Sequence, residues 1–434
     1  MPALKPSSDD DLHPWDHYSD QPRIITDRAY KKRMKRKHFK DYLLTFLTSC
    51  LVFPLALIAW FFNRKVEPSS VHFFSLCVNL DKGEEQYVLV EELGCKSLQV
   101  RFFLSEMDRI DEYYQFVAGF GEKEILLVVV QDRQHIGDHQ LLATDIARVF
   151  EVFSPLVKQF QIGTTINRSK WGFFSVAEYL QFYQVVQKVR DQQFQGLKLL
   201  GPSVIDFEYP YLIRALFNGF KLKFDKVAAL LYVDRRGAPE NPQMKVFDTF
   251  NKITLLHSIA RLSPKTSSKL LLTEANWPLS NTAPWAPTSE TECVSESDYA
   301  NFLLRYHLQA LATQRVESVH WHQLIAPGYG LVDSREGLRT REAFWVYKTM
   351  LDVLGNVEVQ HYQKQGEVYR LACKDRQSDR DVIVLWGNEV ELPLLEYLRQ
   401  ENISVENKQL MDKSAATLNK KTARISNSPI YIIS

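Results

Sequence analysis

Cysteine is scarce. Five in 434 residues make no disulfide framework, and none falls in a CxxC or Cys/His spacing that would hold zinc. No metal and no cofactor is expected. Net charge is nearly absent: 53 Lys and Arg against 52 Asp and Glu leave +1, so no global field draws the chain to nucleic acid. The GxGxxG turn that opens a dinucleotide-binding fold is missing, and no Asp-rich turn has calcium-loop spacing. With 24% charged and 45% hydrophobic residues, the chain is not largely disordered. Its length fits two or three domains. Aromatics at 12% are a modest excess, common in carbohydrate-handling proteins and equally in large cores.

A long uncharged apolar run occurs once, from Tyr42 to Phe62. At 1.5 Å per residue, a helix over these 21 residues spans a hydrocarbon core of roughly 30 Å. Pro54 lies mid-span, which membrane helices tolerate, and Tyr42 and Trp60 sit near the two ends, where interfacial aromatics are favoured. Residues 1–27 are polar and read as disordered. Arg28 to Lys40 then carries eight Lys/Arg and no acid. Only Arg64 and Lys65 follow the run at once. The positive-inside bias places residues 1–41, a disordered basic tail, in the cytoplasm and everything after residue 65 outside it. The span, 42–62, reads as an uncleaved signal anchor, since no small-x-small cleavage site follows. The basic run also suits anionic lipid head groups.

From 72 to 355 short apolar runs alternate with amphipathic helical stretches. Eight strands are expected, at 72–80, 97–104, 124–131, 160–165, 203–208, 227–234, 269–275 and 318–324. Between the fourth and fifth, Tyr179, Phe182, Val185, Val186 and Val189 fall on one helical face. Eight β/α units in about 280 residues is the arithmetic of a (β/α)8 TIM barrel; a doubly wound sheet is the alternative. In such a barrel chemistry sits at the C-terminal strand ends. The polar residues there include Asn79, Arg101, Glu106, Thr164, Thr165, Asn167, Arg168, Trp171, Asp206, Glu208, Tyr232, Asp234, Arg235, Glu274, Trp277, Trp321 and Gln323. Carboxylates and amides suit sugar hydroxyls, and Trp faces suit the apolar faces of sugar rings.

Arg101, the strand-4 segment IGTTINRSKWG, LLLTEANWP at strand 7 and VHWHQL at strand 8 together resemble the clan A retaining glycoside hydrolases. The chain is most similar to the membrane-anchored bacterial type associated with surface polysaccharide. The resemblance covers 72–355 plus a small β domain. It implies an (β/α)8 fold, carbohydrate or glycolipid as ligand, polysaccharide-assembly proteins as partners, and an inner-membrane location with the barrel extracytoplasmic. It implies that Glu274 is the nucleophile, that Arg101 and Tyr232 keep it ionised and oriented, and that Trp321 is the strand-8 platform. Asn79, Asn167, Trp171, Asp206, Glu208, Asp234, Trp277 and Gln323 would contact the sugar. The departure is at strand 4. Where the family carries Asn-Glu, with Glu as acid/base, this chain has Thr164-Thr165.

A retaining glycosidase needs two carboxyl groups about 5–5.5 Å apart, and a Thr hydroxyl is far too weak an acid. Three readings follow. The acid is displaced to Glu208, Asp206, Asp234 or Glu106. Or the leaving group is a phosphate or diphosphate that needs no proton. Or the domain is a non-catalytic pseudoglycosidase that binds glycan or partner proteins.

His320 and His322 flank Trp321 and, by alternation, point away from it, as packing or hydrogen-bonding residues. The 280–298 stretch reads as a loop over the barrel mouth, with Trp285 as a lid or subsite wall. In the 326–333 loop, Tyr329 and Asp333 read as ligand contacts. Residues 356–434 alternate apolar residues with polar turns and read as a small β-sheet domain. Cys77 and Cys95, on or beside strands 1 and 2, are the candidate disulfide pair in an oxidising compartment.

Overall fold

A computed structural model describes residues 13–62, 72–234 and 237–434. The first twelve residues of the expected tail, together with Arg64, Lys65 and Arg235, lie outside the described residues. Eight parallel strands build the central sheet: β1 (Phe74–Val78), β2 (Ser97–Phe103), β3 (Glu124–Val130), β4 (Gln159–Ile162), β5 (Lys198–Leu200 continued by Val204–Ile205), β6 (Val227–Leu230), β7 (Leu270–Ala275) and β8 (Val316–Trp321). Each pairs with its neighbour in chain order, and β8 returns to β1. The first piece of β5 pairs with β4 and the second with β6, with a bridge between Leu200 and Lys226. The sheet is therefore closed into a barrel.

The strands read as unbroken apolar runs because both faces are covered. In β3 every residue after Glu124 is buried. Inside the barrel Leu126, Leu200, Ala228 and Leu271 form one layer. β5 departs from expectation. It starts five residues before the expected 203 and breaks at Gly201–Ser203, and Asp206, at φ 61°, turns the chain out of the sheet before Glu208.

The helices between strands carry their own start signals. Asp138 accepts from the N–H groups of Gln140 and Leu141, and Ser175 from that of Glu178. Such caps satisfy first-turn donors that have no partner within the helix. The helix after Ser175, Val176–Gln193, buries Tyr179, Phe182, Val186 and Val189 as its period predicts.

Where a disordered tail is expected, residues 13–41 carry ordered structure. Trp15–Asp16 and Gln21–Pro22 pair as a short hairpin. Helix α1 (Arg28–Lys37) is capped by Asp27, and the apolar helix α2 (Phe39–Phe61) follows it. Among the described residues, α2 is the one helix long and apolar enough to cross a membrane. It packs lengthwise on two outer helices of the barrel, Tyr209–Leu216 and Thr249–Leu262.

The C-terminal domain is a five-stranded antiparallel sheet of Val357–Gln365, Val368–Asp375, Asp381–Gly387, Ile430–Ile433 and Gln409–Asp412, in that spatial order. A buried cluster ties it to the barrel. Arg305 and the Trp386 indole both donate to Glu240, and Arg305 also donates to Asn388 at 2.7 Å. Cys77 and Cys95 are buried free thiols.

Candidate active site

At the C-terminal end of the barrel a cleft of about 620 Å³ opens beside a smaller recess around Glu274. The two share Asp20, Arg101, Lys170 and Trp171 in their walls. Glu274 reaches the recess through an irregularity in β7. Leu271 faces the barrel interior, so strict alternation would aim Glu274 outward. Between Leu272 and Glu274 the register against β6 slips, two residues opposing one. This bulge at Thr273 re-aims the carboxylate inward.

Glu274 is buried. One carboxylate oxygen accepts from the Arg101 guanidinium and the other from the Tyr232 hydroxyl. Burial pushes the carboxyl pKa up, but the Arg101 charge and these hydrogen bonds outweigh it and hold it below 4.5. The Arg101 guanidinium lies 6.0 Å from the centre of the Trp171 ring. Thr165 lines the same recess, buried and at φ 51°. A β-branched residue is uncommon in this left-handed region.

The remaining expected contacts divide into groups. Asn79 and Gln323 stay together at the ends of β1 and β8, the Asn79 amide donating to Gln323. Asn167 is a staple: its amide donates to Ile205 O and to Glu208, and its oxygen accepts from Ile205 N. Arg168 engages both Glu208 and Asp206 at 2.7 Å. Asp234 is exposed and does not line the cleft. Glu106 lines the larger lobe and accepts from Arg109 and from the Tyr113 hydroxyl.

Two Trp residues fall elsewhere. Trp321 and Trp277 are fully buried, stacked at 5.8 Å, and packed on Tyr306 of the outer helix Glu296–Thr313. The Trp321 indole donates to Tyr299 on that helix. Both therefore belong to the layer between barrel and helix, and neither forms a platform in the cleft. Alternation on β8 gives the inward position to His322, which lines the recess and stacks on Tyr329 at 5.4 Å. Burial and the Arg101 charge lower the His322 pKa to about 3, so its ring is neutral. His320 also points inward, lower in the barrel, and bonds Ser318. Asp333 is taken up by Arg335, Arg339 and Arg341.

The cleft has walls that strand-end reasoning did not contain. The N-terminal hairpin sits on the barrel mouth. Trp15 meets Phe103 and Trp171 edge-on at 5.2 and 5.9 Å. Asp20 pairs with Lys82 at 2.9 Å and accepts from Gln323 and from the Tyr329 hydroxyl. Tyr18 lies against Trp285 of the 280–298 loop. Lys170 donates to Gln21 at 2.6 Å, and burial followed by the Arg168 charge lowers its pKa. Alternation put Trp321 and His322 on opposite faces without saying which is inward; nothing in the tail's composition signalled Asp20 or Trp15.

No family model matches the chain, and no curated protein sequence matches it. Solved structures do. A family 39 glycoside hydrolase from Bacteroides cellulosilyticus WH2 superposes with a TM-score of 0.63 at 14% identity, over 85% of this chain and 83% of that one. A monomeric β-xylosidase from Caulobacter crescentus CB15 gives 0.55 at 12%, over 85% and 97%. A family 30 endoxylanase from Clostridium papyrosolvens C71 gives 0.55 at 10%, again over 85% and 97%. The fold of this chain is the TIM barrel that these glycoside hydrolases share. At these identities the likeness is one of fold.

Proposed function

We propose that this is a glycoside-hydrolase-like protein that binds carbohydrate through a cleft keeping the nucleophile position, Glu274, and lacking the general acid. The observation that carries the proposal is the asymmetry of the recess. One buried carboxylate is held ionised by Arg101 and Tyr232, and Thr165 stands where its acidic partner would be. Of the strand-end acids, Asp206 and Glu208 are engaged by Arg168, and Asp20, the other carboxylate lining the recess, is paired with Lys82. Losing general acid catalysis costs roughly 10²–10⁴-fold, so alkyl glycosides are bound without appreciable turnover. The apolar helix brings the cleft to a membrane surface, which favours a glycolipid or surface polysaccharide as ligand and polysaccharide-assembly proteins as partners.

A second reading is favoured by Lys170 and Arg168, which line the recess beside Thr165. Arg168 already pairs with Asp206 and Glu208, but the Lys170 amine is held by the Gln21 amide and suits a sugar joined to phosphate or diphosphate, a leaving group that needs no proton.

The test uses the full chain in detergent, a panel of 2-fluoro glycosides with dinitrophenyl or fluoride leaving groups, and intact mass. Such reagents need no general acid. A covalent adduct on Glu274, absent in Glu274→Gln, supports the retained nucleophile and directs attention to sugar phosphates. Glycan binding without an adduct supports a purely binding role. Rapid turnover of alkyl glycosides would sink the proposal, because it demands an acid.

A further inference from the structure

The apolar helix is read from sequence as a membrane span. Its packing points to a different placement. Along α2, one side is occupied by protein. Asp41 is buried in a pair with Arg214 at 2.7 Å and accepts from Ala177 N, and the Tyr42 hydroxyl donates to Phe174 O. Near the middle Phe53 stacks on Tyr209 at 4.4 Å, and near the end Trp60 meets Phe247 at 5.9 Å. Contact with the barrel wall therefore runs the length of the helix. At 1.5 Å per residue its 23 residues cover about 35 Å of that wall.

The other side is bare and apolar. Phe46, Leu51, Leu55, Ile58 and Phe61 are each more than half exposed. A helical projection puts them on one half of the helix, opposite Asp41, Thr45 and Ala56. A contiguous apolar strip of this length on a soluble surface marks an interaction site.

A spanning helix would separate residues before 39 from residues after 62 by about 30 Å of hydrocarbon. Here the segment before the helix rests on the barrel mouth, through the Asp20–Lys82 pair and the Trp15 contacts. The barrel cannot follow its own flanking helix into hydrocarbon, because its outer surface is charged and its loops need water. Directly before α2 in the chain lies α1. Its seven Lys and Arg are unopposed by any acid in that helix, and no ion pair engages them among the described residues.

We infer that α2 lies in the plane of one leaflet of an anionic membrane. Its outer half is sunk to the acyl boundary, α1 rests on the head groups, and the N-terminal hairpin and barrel share one side. A basic segment joined to a one-sided apolar helix is the chemistry of an in-plane anchor. The occupant of the strip is lipid. The unopposed α1 cations match anionic head groups.

The experiment asks which side each end occupies. The full chain carries Cys50→Ser and Cys293→Ser, then either Ile24→Cys before the helix or Glu406→Cys in the C-terminal domain. Sealed bacterial vesicles of both orientations are treated with a membrane-impermeant maleimide. Labelling of both positions from the same side is expected; labelling from opposite sides overturns the inference. Purified full chain is then sedimented with phosphatidylcholine vesicles, with and without phosphatidylglycerol. Binding that requires the anionic lipid is expected. Leu51→Asp, at an exposed position, should weaken it by at least about tenfold with an unchanged circular dichroism spectrum. Failure to bind vesicles, with dimerisation lost in Leu51→Asp, overturns the inference in favour of a second copy.

Discussion

Replacing Arg101 by Met keeps most of the stem and removes the guanidinium that faces Glu274. At neutral pH the variant holds a buried carboxylate beside the Tyr232 hydroxyl, without its cation. Breaking a buried pair in this way costs about 3–5 kcal/mol. The geometry also fixes how the cost depends on pH. In the wild type burial raises the Glu274 pKa, yet Arg101 and the hydrogen bonds bring it below 4.5. Its stabilising contribution is present above the unfolded value, about 4.3, and lost only as pH falls through the lower folded one. In Arg101→Met burial dominates and the pKa rises above 4.5. The ionised form now destabilises the fold, so stability falls as pH climbs through the raised value, at up to about 1.4 kcal/mol per pH unit. The gap between wild type and variant is therefore larger at neutral than at acid pH. Urea unfolding followed by Trp fluorescence at several pH values measures it. The double variant Arg101→Met/Glu274→Gln, with no charge left to bury, should recover most of the loss at neutral pH. A gap of one size at every pH would refute the account of the pair.

Three further outcomes are expected. Thr165→Glu restores a carboxyl opposite Glu274 and removes a β-branched residue from a left-handed position; hydrolysis of a bound aryl glycoside should rise by roughly 10²–10⁴-fold, and no gain on any bound glycoside would count against a lost acid. Glu240→Ala strands the Arg305 charge between barrel and C-terminal sheet and should cost about 3–5 kcal/mol, read as lower unfolding midpoints for both. His135 lies between Asp132 at 2.6 Å and Asp145 at 2.9 Å; burial lowers its pKa, but the two carboxylates outweigh that and raise it above 6.5. Its stabilisation is full below about 6.5 and is lost as pH rises through the folded value, so the deficit of His135→Gln should shrink with rising pH.

The hairpin on the barrel mouth bears on any ligand model. Trp15, Asp20 and Gln21 narrow a cleft that the barrel alone would leave wider, and Gln21 holds the Lys170 amine. A ligand must either fit beneath these residues or displace them.

Local pattern was enough for the barrel. Most strands are apolar runs buried on both faces, and the helix after Ser175 repeats at 3.6, so eight β/α units could be read in order, with β5 alone misplaced. The Arg101–Tyr232–Glu274 cluster was legible through the resemblance, because its members sit at strand ends that any such barrel brings together. The apolar helix was legible from composition. Other features depended on contacts between distant parts of the chain. The bulge at Thr273 is a register slip against a neighbouring strand, and no local period announces it. Trp321 and His322 exchange the roles expected for them because β8 turns its bulky Trp towards the outer helix. Asp206 and Glu208 read as free acids in the sequence, but Arg168, some 40 residues earlier, engages both. The sequence by itself determined which segments are strands and helices and which one helix is apolar throughout, since those follow from burial periodicity and composition. Only the tertiary structure decided which side chains share the recess, and which side of the apolar helix is left bare, since both are set by packing between residues far apart in the chain.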